Sequence, residues 1–161
     1  MTGVVILIVA VVLALGFGAW RARVDGRFAA RRTPRVTAGP TDATTTGPTE
    51  ATEPTGPTAW DAVVAAGLVE TPGERATLLQ FSSAFCAPCR ATRRVLGEVA
   101  EVVPGVAHVE VDAEHHLELT RTLGILRTPT TLVLDAAGRE VTRAAGAPTK
   151  QQVLAGLDAA V

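Results

Sequence analysis

An α/β domain with a central sheet covered by helices on both faces is the fold class this sequence predicts, and three observations predict it. From Ala59 onward, segments of strand-like apolar pattern take turns with segments whose apolar residues recur at helical spacing. The stretch Thr77 to Ser83 is nearly all apolar, as a strand covered on both faces must be, with Gln80 its polar interruption. Asp135-Ala136-Ala137-Gly138 separates two further strand-like segments at hairpin distance.

The elements follow in order. Trp60, Val63, Val64 and Gly67 fit a short helix with Asp61 in its first turn, and Pro72-Gly73 then turns the chain into the strand at Thr77–Ser83. Thr92, Val95, Leu96, Val99, Val102 and Val103 recur at helical spacing until Pro104-Gly105 ends the helix. Val106 to Val111 alternates apolar residues with His108 and Glu110 and ends at Asp112, which reads as a second strand. Leu119 and Leu123 mark a helix closed by Gly124; Thr130 to Leu134 is a strand, and Glu140 to Ala144 its return arm. Pro148 opens a last helix carrying Val153, Leu154 and Leu157.

Length and charge narrow the function. The chain has 161 residues, room for one domain and appendages. Its net charge of −1, with no basic residues gathered on a folded face, gives no sign of a nucleic-acid footprint, and no nucleic-acid partner is expected. Gly3 to Trp20 carries no charge; as a helix it would span ~27 Å, close to the ~30 Å hydrocarbon core of a bilayer. Only Met1-Thr2 precede this run, and Trp20-Arg21-Ala22-Arg23 replaces the small-residue cut site of a cleaved signal. The expectation is therefore a retained single-pass transmembrane anchor over residues 1–20, with the membrane contacted through residues 3–20.

Arg21, Arg23, Arg27, Arg31, Arg32 and Arg35 all follow that run. The positive-inside rule then puts the folded domain on the cytoplasmic side of the cell membrane. Thr37 to Thr58 is rich in Thr, Pro and Gly, a composition also found in extracytoplasmic stalks, which leaves the reverse orientation as the alternative. This stretch cannot bury a core and is expected to be disordered. The chain so divides into an anchor (1–20), a basic juxtamembrane segment and linker (21–58) and a folded domain (59–161).

Cys86-Ala87-Pro88-Cys89, directly behind the first strand, holds the only two cysteines of the chain. Two thiols at this spacing can close a small ring, and a strand feeding them into a helix sets the first sulfur where backbone N–H groups converge. One pair is too few to staple a secreted scaffold. A structural zinc site is not read either, because zinc takes four ligands and His115-His116 stand on another element without finger-like spacing. No metal and no cofactor beyond the cysteine pair is expected.

Phe81-Ser82-Ser83-Ala84-Phe85-Cys86-Ala87-Pro88-Cys89-Arg90 resembles the active-site stretch of the thioredoxin family. Thr128-Pro129-Thr130 before an apolar strand resembles its cis-proline loop, and Asp112 and Gly146 fall where members carry the same residue types. The resemblance covers about Ala76 to Val161. The apolar N-terminus further resembles membrane-tethered members from high-GC bacteria. A thioredoxin-like fold with a mixed central sheet is thereby implied, together with a redox-active Cys86–Cys89 disulfide acting as a thiol–disulfide oxidoreductase. Two departures stand out. Phe85 replaces the usual Trp, and Gln80 occupies the place of a buried carboxylate that serves the second thiol. Gln80 can orient a water or hold a thiol but cannot titrate, so proton transfer needs another group; His108 on the neighbouring strand is the expected support.

The resemblance implies that Cys86, stabilised as thiolate by the helix N-terminus, attacks a protein disulfide and that Cys89 resolves the mixed disulfide. Phe85, Ala87, Pro88 and Arg90 form the active-site loop, and Thr128 and Pro129 contact an extended substrate segment. Expected partners are protein disulfides or thiols and a dithiol electron donor. A cytoplasmic domain would act as a reductant. The alternatives are a redox-poor adaptor holding a partner at the membrane, kept open by Gln80, and an extracytoplasmic thiol reductase or oxidase if the topology is reversed.

Overall fold

The computed structural model describes residues 2–24, 26–30, 56–68 and 70–161. Its elements are α1 (Thr2–Val24), β1 (Phe28–Ala30), α2 (Ala59–Ala65), β2 (Ala76–Ser82) and α3 (Ala87–Val102), then β3 (Val106–Asp112), α4 (Leu117–Thr122), β4 (Thr130–Asp135), β5 (Glu140–Ala145) and α5 (Lys150–Leu157). Of the linker expected between Thr37 and Thr58, residues 37–55 lie outside the described residues.

The membrane expectations require correction. Among the described residues, no helix is long and apolar enough to cross a membrane. Apolar composition alone set the expectation at the N-terminus, and composition does not by itself make a span. The transmembrane anchor, the tethered form of the oxidoreductase, the membrane-bound adaptor, the membrane as a partner and the orientation drawn from Arg21, Arg23, Arg27, Arg31, Arg32 and Arg35 fall together.

The helices start where side chains can satisfy their first N–H groups. Thr58 accepts from the Asp61 N–H at 3.1 Å while Asp61 accepts from the Thr58 N–H at 2.7 Å, a reciprocal cap on α2. These bonds hold the exposed Asp61 carboxyl below its usual range. Thr149 and Gln152 form the same arrangement on α5, at 3.3 and 2.8 Å. That helix therefore begins behind Thr149, with Pro148 just outside it.

One mixed sheet runs in the order β1-β5-β4-β2-β3. β2 pairs parallel with β3 and antiparallel with β4, and β5 pairs antiparallel with β4 and β1. β1 was not read from the sequence; three residues beside arginines carry no periodicity. Phe28 of this strand packs against the cluster containing Val153 and Leu157 of α5.

Both faces of the sheet are covered. Leu79, Phe81, Val109, Val111 and Leu132 pack with Val63 of α2 and Leu119 of α4. On the opposite face Leu78, Val106 and Val133 pack with Leu96 and Val99 of α3 and with α5. All seven residues of β2 are buried, which is why its sequence is apolar at both parities. α3 turns Cys89, Thr92, Leu96 and Val99 inward, whereas Val102, expected on that apolar face, is exposed.

Candidate functional site

Strand pairing decides which side chains meet. The parallel register sets Gln80 beside Glu110 and Ser82 beside Asp112. Because successive side chains point to opposite faces, Leu78, Gln80 and Ser82 share the α3 face with Val106, His108 and Glu110. The lower part of this face is apolar and packs on Leu96 and Val99. Its upper part, at the carboxyl ends of two parallel strands, is polar, and there α3 begins.

Cys86 is the N-cap of α3, and its Sγ accepts a hydrogen bond from the Cys89 N–H at 3.1 Å. The Cys86 carbonyl takes the Cys89 and Arg90 N–H groups at 3.1 and 3.4 Å, so the first turn closes around this residue. Pro88 sits in that turn, where an N–H would have no helical partner. A disulfide joins Cys86 to Cys89 with their Cα atoms 5.2 Å apart. The two sulfurs differ in access: Cys86 is half-buried and Cys89 is 2% exposed.

Beneath Cys89 lies a connected polar group. Gln80, fully buried, donates through Nε2 to the Cys89 carbonyl at 3.0 Å and to Ser82 Oγ at 2.7 Å. Ser82 Oγ donates in turn to Glu110 Oε1 at 2.5 Å. Arg93 Nε meets Glu110 Oε2 at 2.5 Å, and that hydrogen bond holds the guanidinium above its usual range. His108 Nε2 lies 3.1 Å from Gln80 Oε1. The Gln80 nitrogen already donates twice, so Oε1 accepts and His108 donates. Burial pushes His108 below the ordinary histidine value, with Glu110 opposing only in part.

The second loop reaches the same place. Thr128–Pro129 is a cis peptide, and Thr128 Oγ1 lies 3.1 Å from Ser83 Oγ, just ahead of the cysteines. Pro129 is buried, and its carbonyl accepts the Gly146 N–H at 2.8 Å. Gly146 adopts φ 107°, a left-handed conformation that suits a residue without Cβ.

The structure thus brings Cys86, Cys89, Pro88, Arg90, Gln80, Thr128 and Pro129 to one end of the sheet. Phe85 stands there at 98% exposure, beside exposed Ala87. His108 reaches Gln80 but neither sulfur, and an amide that cannot titrate lies between. Sequence reasoning missed Ser82 and Glu110. Glu110 was visible only as a polar position in an alternating strand, a signal that gives a side chain's face but not its neighbour. Among the described residues, no group of three or more His, Cys, Asp or Glu side chains is placed to hold a metal ion.

A thiol pair at a helix N-terminus, one sulfur reachable and the other sealed beneath it, defines a thiol–disulfide oxidoreductase. The model of the thioredoxin family matches residues 53–159. A thioredoxin from Alicyclobacillus acidocaldarius is 35% identical over 86 residues, which cover 53% of this chain and 81% of that protein. A rice protein, thioredoxin H2-1, is 36% identical over 70 residues, 44% of this chain and 50% of its own length. Among solved structures, thioredoxin f from spinach chloroplast superposes with a TM-score of 0.50 at 26% identity, over 63% of this chain and 84% of that one. Fasciola hepatica thioredoxin shares the fold with a TM-score of 0.51 at 21% identity, over 65% of this chain and 96% of its own.

The chain belongs to the thioredoxin family. The narrower likeness to membrane-tethered proteins of high-GC bacteria is corrected. It rested on the anchor and on the Gly73-Glu74-Arg75 lead-in to the strand; the relatives found are thioredoxins, and no helix among the described residues is long and apolar enough to cross a membrane.

Proposed function

We propose that the protein exchanges disulfides with protein substrates, Cys86 being the attacking sulfur and Cys89 the resolving one. The observation that carries this assignment is the Cys89 N–H directed at Cys86 Sγ on the first turn of α3. That N–H and the helix dipole favour a negative sulfur at Cys86 over a neutral one. Cys89 has no comparable access to a substrate, because it is sealed under the helix.

In the reductive direction the Cys86 thiolate attacks one substrate sulfur, and the substrate S–S bond breaks as a mixed disulfide forms. The other substrate sulfur leaves at that step as a thiolate; Cys89 then attacks Cys86 Sγ and expels the sulfur that had been attacked, and both substrate thiolates take up protons. The substrate gains two electrons and the Cys86/Cys89 pair gives them up. Thr128 and Pro129, tied to the cysteine loop through Ser83, form the second wall for an extended segment. Phe85 and Leu126, exposed at 98% and 96%, offer apolar contacts on the two loops, and Arg90 lies beside Cys89 in the cleft below.

Reduction of insulin by dithiothreitol, followed by turbidity, tests this reading. The wild-type protein should accelerate precipitation, and Cys86→Ser should fall to the rate of dithiothreitol alone. Cys89→Ala should accumulate a mixed disulfide with insulin at Cys86. Acceleration that survives Cys86→Ser would refute the assignment.

A further inference from the structure

Resolution by Cys89 requires its thiol to lose a proton, and Cys89 is 2% exposed. Burial disfavours the thiolate, so an acceptor nearby must take that proton. Gln80, directly beneath, cannot serve. Both hydrogens of its amide are committed, to the Cys89 carbonyl and to Ser82, and it does not titrate. His108 is separated from the sulfur by that amide.

Two carboxylates lie on the same side. Glu110 and Asp112 line, with Cys89, Arg90 and Arg93, a cleft of about 360 Å³ open to solvent. Asp112 is already engaged. His115 Nδ1 at 2.9 Å and the Glu114 N–H at 2.8 Å hold it, chiefly the histidine, below the usual carboxylate range, which makes it a poor base. Glu110 is differently placed. The β2–β3 register sets it beside Gln80 on the same face, one strand spacing of about 4.8 Å away. Ser82 and Arg93 each bind one of its oxygens, which fixes the carboxylate at the cleft wall.

We propose that Glu110 is the proton acceptor for Cys89, acting through solvent in the cleft that the two residues share. This inference rests on Cys89 being the resolving sulfur. The Cys89 S–H bond breaks and its proton passes to Glu110. The thiolate attacks Cys86 Sγ, and the leaving sulfur is protonated from the carboxylic acid or from solvent, which restores Glu110. No net proton or electron is left over. The charged groups facing Glu110 are Arg93 and Arg90 on α3, with Asp112 and His108 on its own strand. Arg93 fixes the carboxylate in place through Oε2. Ser82 and Gln80 are positioning residues: they orient Glu110 and the Cys89 backbone without receiving the proton.

Stopped-flow reaction of the reduced protein with dithiobis(nitrobenzoate) separates the two steps, since each releases one coloured thiolate. Glu110→Gln should leave the first phase unchanged and slow the second at pH 7 by about 10²-fold, the lower end of what a positioned acid or base supplies. The loss should narrow as the pH rises, since the Cys89 thiol then ionises without the carboxylate. Placing an acid beneath the sulfur, Gln80→Asp in the Glu110→Gln background, should restore the second phase at neutral pH. A second phase that is unchanged in Glu110→Gln, or slowed equally at every pH, overturns the inference. Absence of a second phase in the wild-type protein would instead overturn the role given to Cys89.

Discussion

The two ends of β2 share one environment and do different work. Every residue from Ala76 to Ser82 is buried. Leu78 and Leu79 spend that burial on packing, one against α3 and α5, the other against α2 and α4. Gln80 and Ser82, on the same strand and the α3 face, place polar atoms where the parallel strands end, and each has its partner: Cys89, His108 and Glu110. Burial alone therefore does not separate scaffold from site. The separating feature is a buried polar group whose hydrogen bonds converge on a reactive residue.

The comparison can be broken at the apolar end first. Leu79→Ala removes a fully buried side chain and should destabilise the domain by about 2–5 kcal/mol, measured by urea unfolding of the reduced protein. Exchange per folded molecule should hardly change. A large loss of activity in protein that remains folded would show that the two ends are not separable.

At the polar end, Gln80→Leu roughly keeps the volume but removes the hydrogen bonds to the Cys89 carbonyl, Ser82 and the His108 ring. A stability loss of about 1–3 kcal/mol should follow, together with a slower release of the second thiolate, so both readouts move here. Neutral behaviour in both would mean that this network does not hold Cys89.

The smallest effect concerns pH. His108 lies below its ordinary value in the folded state because of burial, so the unfolded chain takes up a proton first on acidification. The stabilisation is present above pH ~6.5, the ordinary histidine value, and is lost as pH falls below it toward the lowered folded value. His108→Gln should flatten that decline, by at most ~1.4 kcal/mol per pH unit. An identical slope in the variant would contradict the placement of His108.

Much of this was legible in the residues, and the exceptions have physical reasons. A run apolar at both parities announced β2, and the thiol spacing behind it announced Cys86 and Cys89. Pro129 was legible only through its motif. The alternation of Val106 to Val111 gave β3 its two faces, yet it left His108 and Glu110 looking alike. That His108 meets Gln80 while Glu110 meets Ser82 depends on register with a strand 28 positions earlier, and periodicity carries no register. Gln80 was read as unable to titrate, which is correct; that Glu110 stood beside it was not visible. Phe28–Ala30 escaped notice because an edge strand of three residues is held by its pairing with Ala144, Arg143 and Thr142 rather than by its own pattern. At the N-terminus, apolar composition was taken for a membrane span, and no helix among the described residues is long and apolar enough for one.

The central claim is that Cys86 is kept as a ready thiolate by the first turn of α3. The pH dependence of iodoacetamide alkylation at Cys86 in the reduced protein tests it most directly. A rate whose midpoint lies well below the ~8.5 of an ordinary cysteine is the expected result. A midpoint at or above that value would contradict the account.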